Sequence, residues 1–149
     1  MSDPLYRKAV LRLAANATGA GRLPEPHGTG TAHNPTCGDR VIVDLAIEDG
    51  RIMGIALETK ACVLAQASAA ILGGEATGLT REEVAALHES VHAMLADGAG
   101  IPSAPFNTYD AFEGVADHRN RHRCVLLPIE AVLLAFDSLE ASEPTSERT

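Results

Sequence analysis

Between residues 40 and 59 the apolar side chains fall on alternate positions: Val41, Val43, Leu45 and Ile47, then a second extended run from Ile52 to Thr59. Period-two alternation marks strands with one buried face. Glu48-Asp49-Gly50 between the runs supplies turn chemistry, so the pattern predicts a β-hairpin. Elsewhere the period is helical. Asp3-Pro4 reads as a helix start, with Leu5, Ala9, Val10, Leu13 and Ala14 on one face and an end near Gly19 and Gly21. Residues 62–72, rich in Ala, Leu and Gln, predict a buried helix closed by Gly73 and Gly74. Thr80 and Glu83 form a capping box ahead of a Val84, Leu87, Val91, Leu95 stripe, a third helix that lasts to Gly98. Residues 22–35 are rich in Gly, Pro, Thr and His and read as loop, with a short strand over 28–32. A short helical piece is expected over 109–115. After Cys124 an apolar run predicts a final helix, with Pro128 tolerated in its first turn.

Composition adds bounds to this pattern. The 149 residues are 46% hydrophobic and 21% charged, the makeup of one domain, assigned to 1–140, followed by a Ser-, Thr- and Glu-rich tail over 141–149 that is expected to be disordered. A domain of this size buries roughly 70% of its unfolded surface, so a metal would serve function more than folding. A net charge of −8 argues against nucleic acid and anionic membranes as partners. No apolar run approaches the ~20 residues of a membrane-spanning helix. Three widely spaced cysteines without a basic-then-apolar leader point to a reducing, cytoplasmic setting. The one dense basic run, His118 to Arg123, stands beside Cys124.

The cysteines carry the candidate chemistry. Cys37 lies in Asn34-Pro35-Thr36-Cys37-Gly38-Asp39, a turn sequence in which Gly38 is free to take a positive φ and let Cys37 and Asp39 converge. Cys62 follows the hairpin, which returns the chain to where it began. At a helix start Cys62, and Cys124 if it too opens a helix, feels the positive end of the backbone dipole, which favours the thiolate. Three thiolates and one carboxylate form a four-coordinate set suited to Zn²⁺, with the hard Asp39 as a weaker, more exchangeable corner. The spacing is not a paired C-x-x-C zinc signature, and each cysteine taken alone also fits a small buried hydrophobe.

Asn34-Pro-Thr-Cys-Gly-Asp-Arg40, Ala61-Cys62 before an Ala/Ser-rich helix, and Arg121-His-Arg-Cys124 together resemble the motifs of the IscU/NifU-like iron–sulfur cluster assembly scaffold family, over most of the chain. Within it the chain looks closest to the SufU branch, through the long insertion over residues 74–115 and Arg123 where IscU-type members carry histidine. The resemblance implies that Cys37, Asp39, Cys62 and Cys124 surround Zn²⁺ or a nascent 2Fe–2S cluster, that Cys124 accepts sulfur, and that Arg121 stands beside it. It implies a cysteine desulfurase as donor and iron–sulfur acceptor or carrier proteins downstream. The chain would then be a zinc-dependent sulfur acceptor, a cluster scaffold, or both. It departs from the family in placing Thr59-Lys60-Ala61 where a glycine precedes the second cysteine. Lys60 there either depresses the Cys62 thiol or is a solvated surface charge.

Competing sites are weaker. His88 and His92 stand four apart on the third predicted helix without the glutamate of the metalloprotease arrangement, and like His27 and His33 they read as solvated. His118 and His122, closer to Cys124, are candidate alternative ligands. A Cys/His-dependent hydrolase or transferase would pair Cys124 with one of them, leaving Asp39 and two thiols without a task. A structural zinc domain mediating protein contacts is the other alternative. The expected architecture is α+β: a three-stranded antiparallel sheet with helices packed on one side and the metal centre at one exposed end.

Overall fold

The computed structural model describes residues 8–35 and 38–146. Its elements run α1 (Lys8–Asn16), β1 (Gly28–Asn34), β2 (Asp39–Glu48), β3 (Arg51–Lys60), α2 (Val63–Glu75), α3 (Arg81–Asp97), a 3₁₀ helix (Phe106–Val115) and α4 (Arg119–Ser146). The strands form one antiparallel sheet in the order β1-β2-β3, as the α+β expectation required. The hairpin turns on Asp49 (φ 55°) and Gly50 (φ 75°), the positive-φ pair that suits the twist of two flanking strands. Helix α4 lies across β1 and β2, α2 packs beside β3, and α1 and α3 pack outside them on α2 and α4. Val41, Val43, Leu45, Ile52 and Leu57 of the sheet join Leu64, Leu72, Leu127 and Ile129 of the helices in one buried cluster. Each such side chain contributes about 1.5–3 kcal/mol by leaving water.

Three elements differ from the sequence pattern. β1 extends to Asn34, and its buried face is Gly28, Gly30, Ala32 and Asn34. Those residues are small because α4 lies against the strand backbone: a Cβ on Gly30 would run into Ala135 N and Ala131 O. Helix α2 passes through Gly73 and Gly74 and ends at Glu75. Gly73 is there for close approach, since a Cβ would strike the Thr18 carbonyl behind α1. The final helix starts at Arg119, so Pro128 falls in its third turn rather than its first. That helix also continues to Ser146, into the segment expected as a tail. The expected start at Asp3-Pro4 and the last three residues lie outside the described ones. In α3 the Thr80/Glu83 capping box is formed, and Gly98 closes the helix at φ 70°.

The segment between α1 and β1 crosses from one sheet edge over the outer face to the other. It pairs with β3 through Leu57 N to Gly19 O (2.9 Å) and Gly21 N to Leu57 O (3.0 Å), then with β2 through His27 N to Leu45 O (2.8 Å). Its anchor is Asp44, fully buried in β2, which accepts from Arg22 Nε (2.7 Å), the Leu23 amide (3.0 Å) and Thr29 Oγ1 (2.7 Å). Among the described residues no helix is long and apolar enough to cross a membrane.

Candidate metal centre

The end of β1, the start of β2 and the end of β3 lie together at one edge of the sheet, where Asn34 pairs with Asp39 and Arg40 with Lys60. The β1–β2 connection closes with Gly38 N on Asn34 O at 2.8 Å, and Gly38 takes φ 77°, the positive value its turn sequence anticipates. Cys37 lies outside the described residues. Asp39, first residue of β2, is buried. Just past β3, Cys62 is the residue capping the N-terminus of α2, in extended conformation (φ −66°, ψ 168°), and is half-buried. Cys124 comes from the second turn of α4 and is 1% exposed.

These elements bring one carboxylate oxygen and two sulfurs together: the ligand atoms of Asp39, Cys62 and Cys124 all lie within 4.8 Å of one another. Among the described residues this is the one grouping of three or more Cys, His, Asp and Glu side chains that could hold a metal ion. The Cys124 thiol donates to Asp39 Oδ2 at 3.7 Å. The same single S–H proton also faces the Cys62 sulfur, and this hydrogen bond from Cys124 is the largest influence on Cys62, lowering its pKa to about 6 against burial and the Asp39 charge, which raise it. The Ala65 and Leu64 amides of the first turn of α2 lower it further, acting as dipoles without meeting the geometry of a cap hydrogen bond. Cys124 moves the other way: the bond to the Cys62 thiolate, burial and the charges of Cys62 and Asp39 raise its pKa, with only Arg121 opposing. The two sulfurs thus compete for negative charge beside a carboxylate at one largely buried point. Such a cluster is costly to ionise fully without a cation and suited to bind one, since a metal ion offsets the crowded negative charge.

Two soft thiols and one carboxylate fit a zinc ion or an iron centre, and Cys62, the most exposed of the three, opens the site toward solvent. A hydrogen bond from the Arg121 side chain works to lower the Cys124 pKa. Arg123 does not turn toward the sulfurs: its guanidinium donates to Glu130 Oε1 at 3.3 Å and to the His33 carbonyl at 3.2 Å. The other histidines are held elsewhere. His122 Nε2 is 2.9 Å from the Ala116 carbonyl, His118 lines a polar pocket with it between α3 and α4, and neither joins the metal-capable cluster. The pairing of Cys124 with a histidine base is therefore not formed. His88 bonds Glu130 at 3.4 Å across two helices, His27 Nδ1 accepts from the Ile47 amide at 2.8 Å, and His33 and His92 are outside the cluster. Lys60 is not among the groups that shift Cys62. Ser68 and Tyr109, a buried hydroxyl pair in which Ser68 donates to the Val125 carbonyl, carry a signal that sequence reasoning passed over. A lone hydroxyl in the middle of a buried alanine-rich helix requires a partner.

Comparison with known proteins places this geometry among relatives. A family model described as the NifU-like N-terminal domain matches residues 5–125. The iron–sulfur cluster assembly scaffold protein IscU of Thermotoga maritima is 25% identical over 123 residues, 83% of this chain and 86% of that protein. IscU 1 of Archaeoglobus fulgidus is 32% identical over 79 residues, and there the match spans about half of each chain, 53% and 52%. Among solved structures, the N-terminal part of a nitrogen-fixing NifU-like protein from Brucella abortus superposes with a TM-score of 0.88 at 34% identity, covering 93% of this chain and 96% of that one. A putative iron–sulfur cluster assembly scaffold protein for the SUF system from Fervidobacterium islandicum shares the fold, with a TM-score of 0.77 at 22% identity over 91% and 99%.

Proposed function

The chain belongs to the NifU-like N-terminal domain family, and from that premise we propose that it is an iron–sulfur cluster assembly scaffold whose metal centre is Cys37, Asp39, Cys62 and Cys124. One observation carries the reading: an oxygen and two sulfurs from three separate elements converge within 4.8 Å, in the metal-capable grouping found among the described residues. Metal bound there would hold the thiols deprotonated at neutral pH. Asp39, the hard ligand, is the corner that exchanges. The nascent 2Fe–2S cluster is the cargo.

The finer reading is of the SufU kind, with Cys124 accepting sulfur from a cysteine desulfurase and passing it, or the finished cluster, to acceptor proteins. Its support is local. Arg123, at the position where IscU-type members carry histidine, is committed to Glu130 and the His33 carbonyl, which leaves Asp39 to complete the ligand set. Arg121 beside Cys124 favours the thiolate and would steady the negative charge of a persulfide. In the transfer the Cys124 sulfur attacks the outer sulfur of the donor's persulfide. One S–S bond forms on Cys124 as the donor's breaks, and the donor cysteine leaves as a thiolate, with no net oxidation. A reducing, cytoplasmic setting belongs to this reading, because the two described cysteines are free thiols.

Incubation without oxygen with a cysteine desulfurase and cysteine tests both levels, with ferrous iron and a thiol reductant added for the cluster and read by visible absorption, and without either for the sulfur, read by mass spectrometry of the intact chain. The scaffold reading predicts a cluster chromophore that Cys62→Ser abolishes. The acceptor reading predicts one added sulfur on Cys124 when iron is left out. A chain that gains neither contradicts the proposal.

A further inference from the structure

Ser68 and Tyr109 are both fully buried. Ser68 Oγ lies 2.7 Å from the Val125 carbonyl and 2.8 Å from Tyr109 Oη. A carbonyl can only accept, so the serine proton goes to Val125 and the phenol donates to the serine oxygen. Burial raises the phenol's pKa and keeps it a donor. Replacing such a pair by apolar groups of the same shape changes net stability little, so what the hydroxyls add is direction and length.

The place they act on is the turn of α4 that carries Cys124. Pro128 has no N–H to give to the Cys124 carbonyl four residues back, so the helix's own ladder is open at that sulfur-bearing peptide. The next carbonyl, Val125, is the one that receives Ser68. Ser68 belongs to α2, the helix whose first residue follows Cys62. Helix α2 therefore holds one sulfur through its covalent start and the turn of the other through a hydrogen bond. Tyr109 comes from the 3₁₀ helix of the long insertion, with its ring packed between Phe106 and Phe112 at centroid separations of 6.5 and 5.5 Å.

We propose that Ser68, backed by Tyr109, is a positioning strut that sets the separation of the Cys62 and Cys124 sulfurs and so couples the insertion to the metal centre. The proposal rests on the reading of those residues as metal ligands. Anaerobic titration with Co²⁺ tests it in wild type, Ser68→Ala, Tyr109→Phe and the double variant. Visible spectra and chelator competition report the site, and thermal unfolding of the metal-free proteins reports the fold. Ser68→Ala and the double variant are expected to lose roughly tenfold or more in Co²⁺ affinity and to shift the thiolate–cobalt bands, with Tyr109→Phe showing a smaller loss. The double variant should recover the thermal midpoint that Ser68→Ala loses by leaving the phenol only the residue-68 backbone carbonyl at 3.5 Å, without recovering affinity. Affinity that follows the thermal midpoint across the series, or wild-type spectra and affinity in the double variant, overturns the strut. If Ser68→Ala does not fold, Tyr109→Phe decides by the shift or constancy of the same bands. Wild type that binds no Co²⁺ removes the metal reading and the strut together, whereas wild-type binding with unaffected variants removes the strut alone.

Discussion

Asp44 and Asp39 lie five residues apart on β2, both buried, and do opposite work. Asp39 faces two thiols, whereas Asp44 receives a guanidinium, an amide and a hydroxyl. Burial pushes the Asp44 carboxyl up, but the bonds from Arg22, Thr29 and the Leu23 amide outweigh it and hold the pKa below the ordinary value. A carboxylate depressed in the folded state adds stability that is complete above its unfolded pKa, about 4, and fades as pH falls through the folded value. Asp44→Asn should therefore cost about 2 kcal/mol near pH 7, mostly from the inner bonds, since the half-exposed Arg22 is screened. In urea unfolding the gap from wild type should close as pH drops below about 4. A gap independent of pH would remove the ionic account. At this scale Cys62, Cys124 and Asp39 were legible because thiols and a carboxylate near turns and helix starts carry their chemistry in their type. Asp44, Arg123 and Ser68 were not, because their roles depend on partners 22, 90 and 41 residues away in the chain.

The elements were legible where period and caps agree, as in the hairpin and in α3. They were misread where glycine acts across space rather than along the chain. Gly73 resembles a helix terminator yet allows the chain after α1 to touch α2, and β1 lacks an apolar stripe because the α4 backbone covers its glycines. Gly30→Ala should lower stability by about 3 kcal/mol through forced separation of α4 from β1, seen as a fall in thermal midpoint. Gly54→Ala on β3 is the control, since its added carbon would meet only the Ala46 side chain at 3.6 Å, and it should be near neutral. Equal effects at the two positions would contradict the close-approach account of β1.

Across the whole molecule, the sheet edge, the start of α2 and the early turns of α4 meet at one end and present Asp39, Cys62 and Cys124 there. An overall charge of −8 coexists with Arg119, Arg121 and Arg123 in the first two turns of α4, the helix that carries Cys124. The most direct measurement is the metal content, zinc and iron together, of protein purified without oxygen, in wild type and in Cys62→Ser, Cys124→Ser and His88→Ala. A metal centre at Asp39, Cys62 and Cys124 predicts close to one metal site filled per chain in wild type and His88→Ala, and little metal in either cysteine variant. Cysteine variants that keep the wild-type metal content would contradict it.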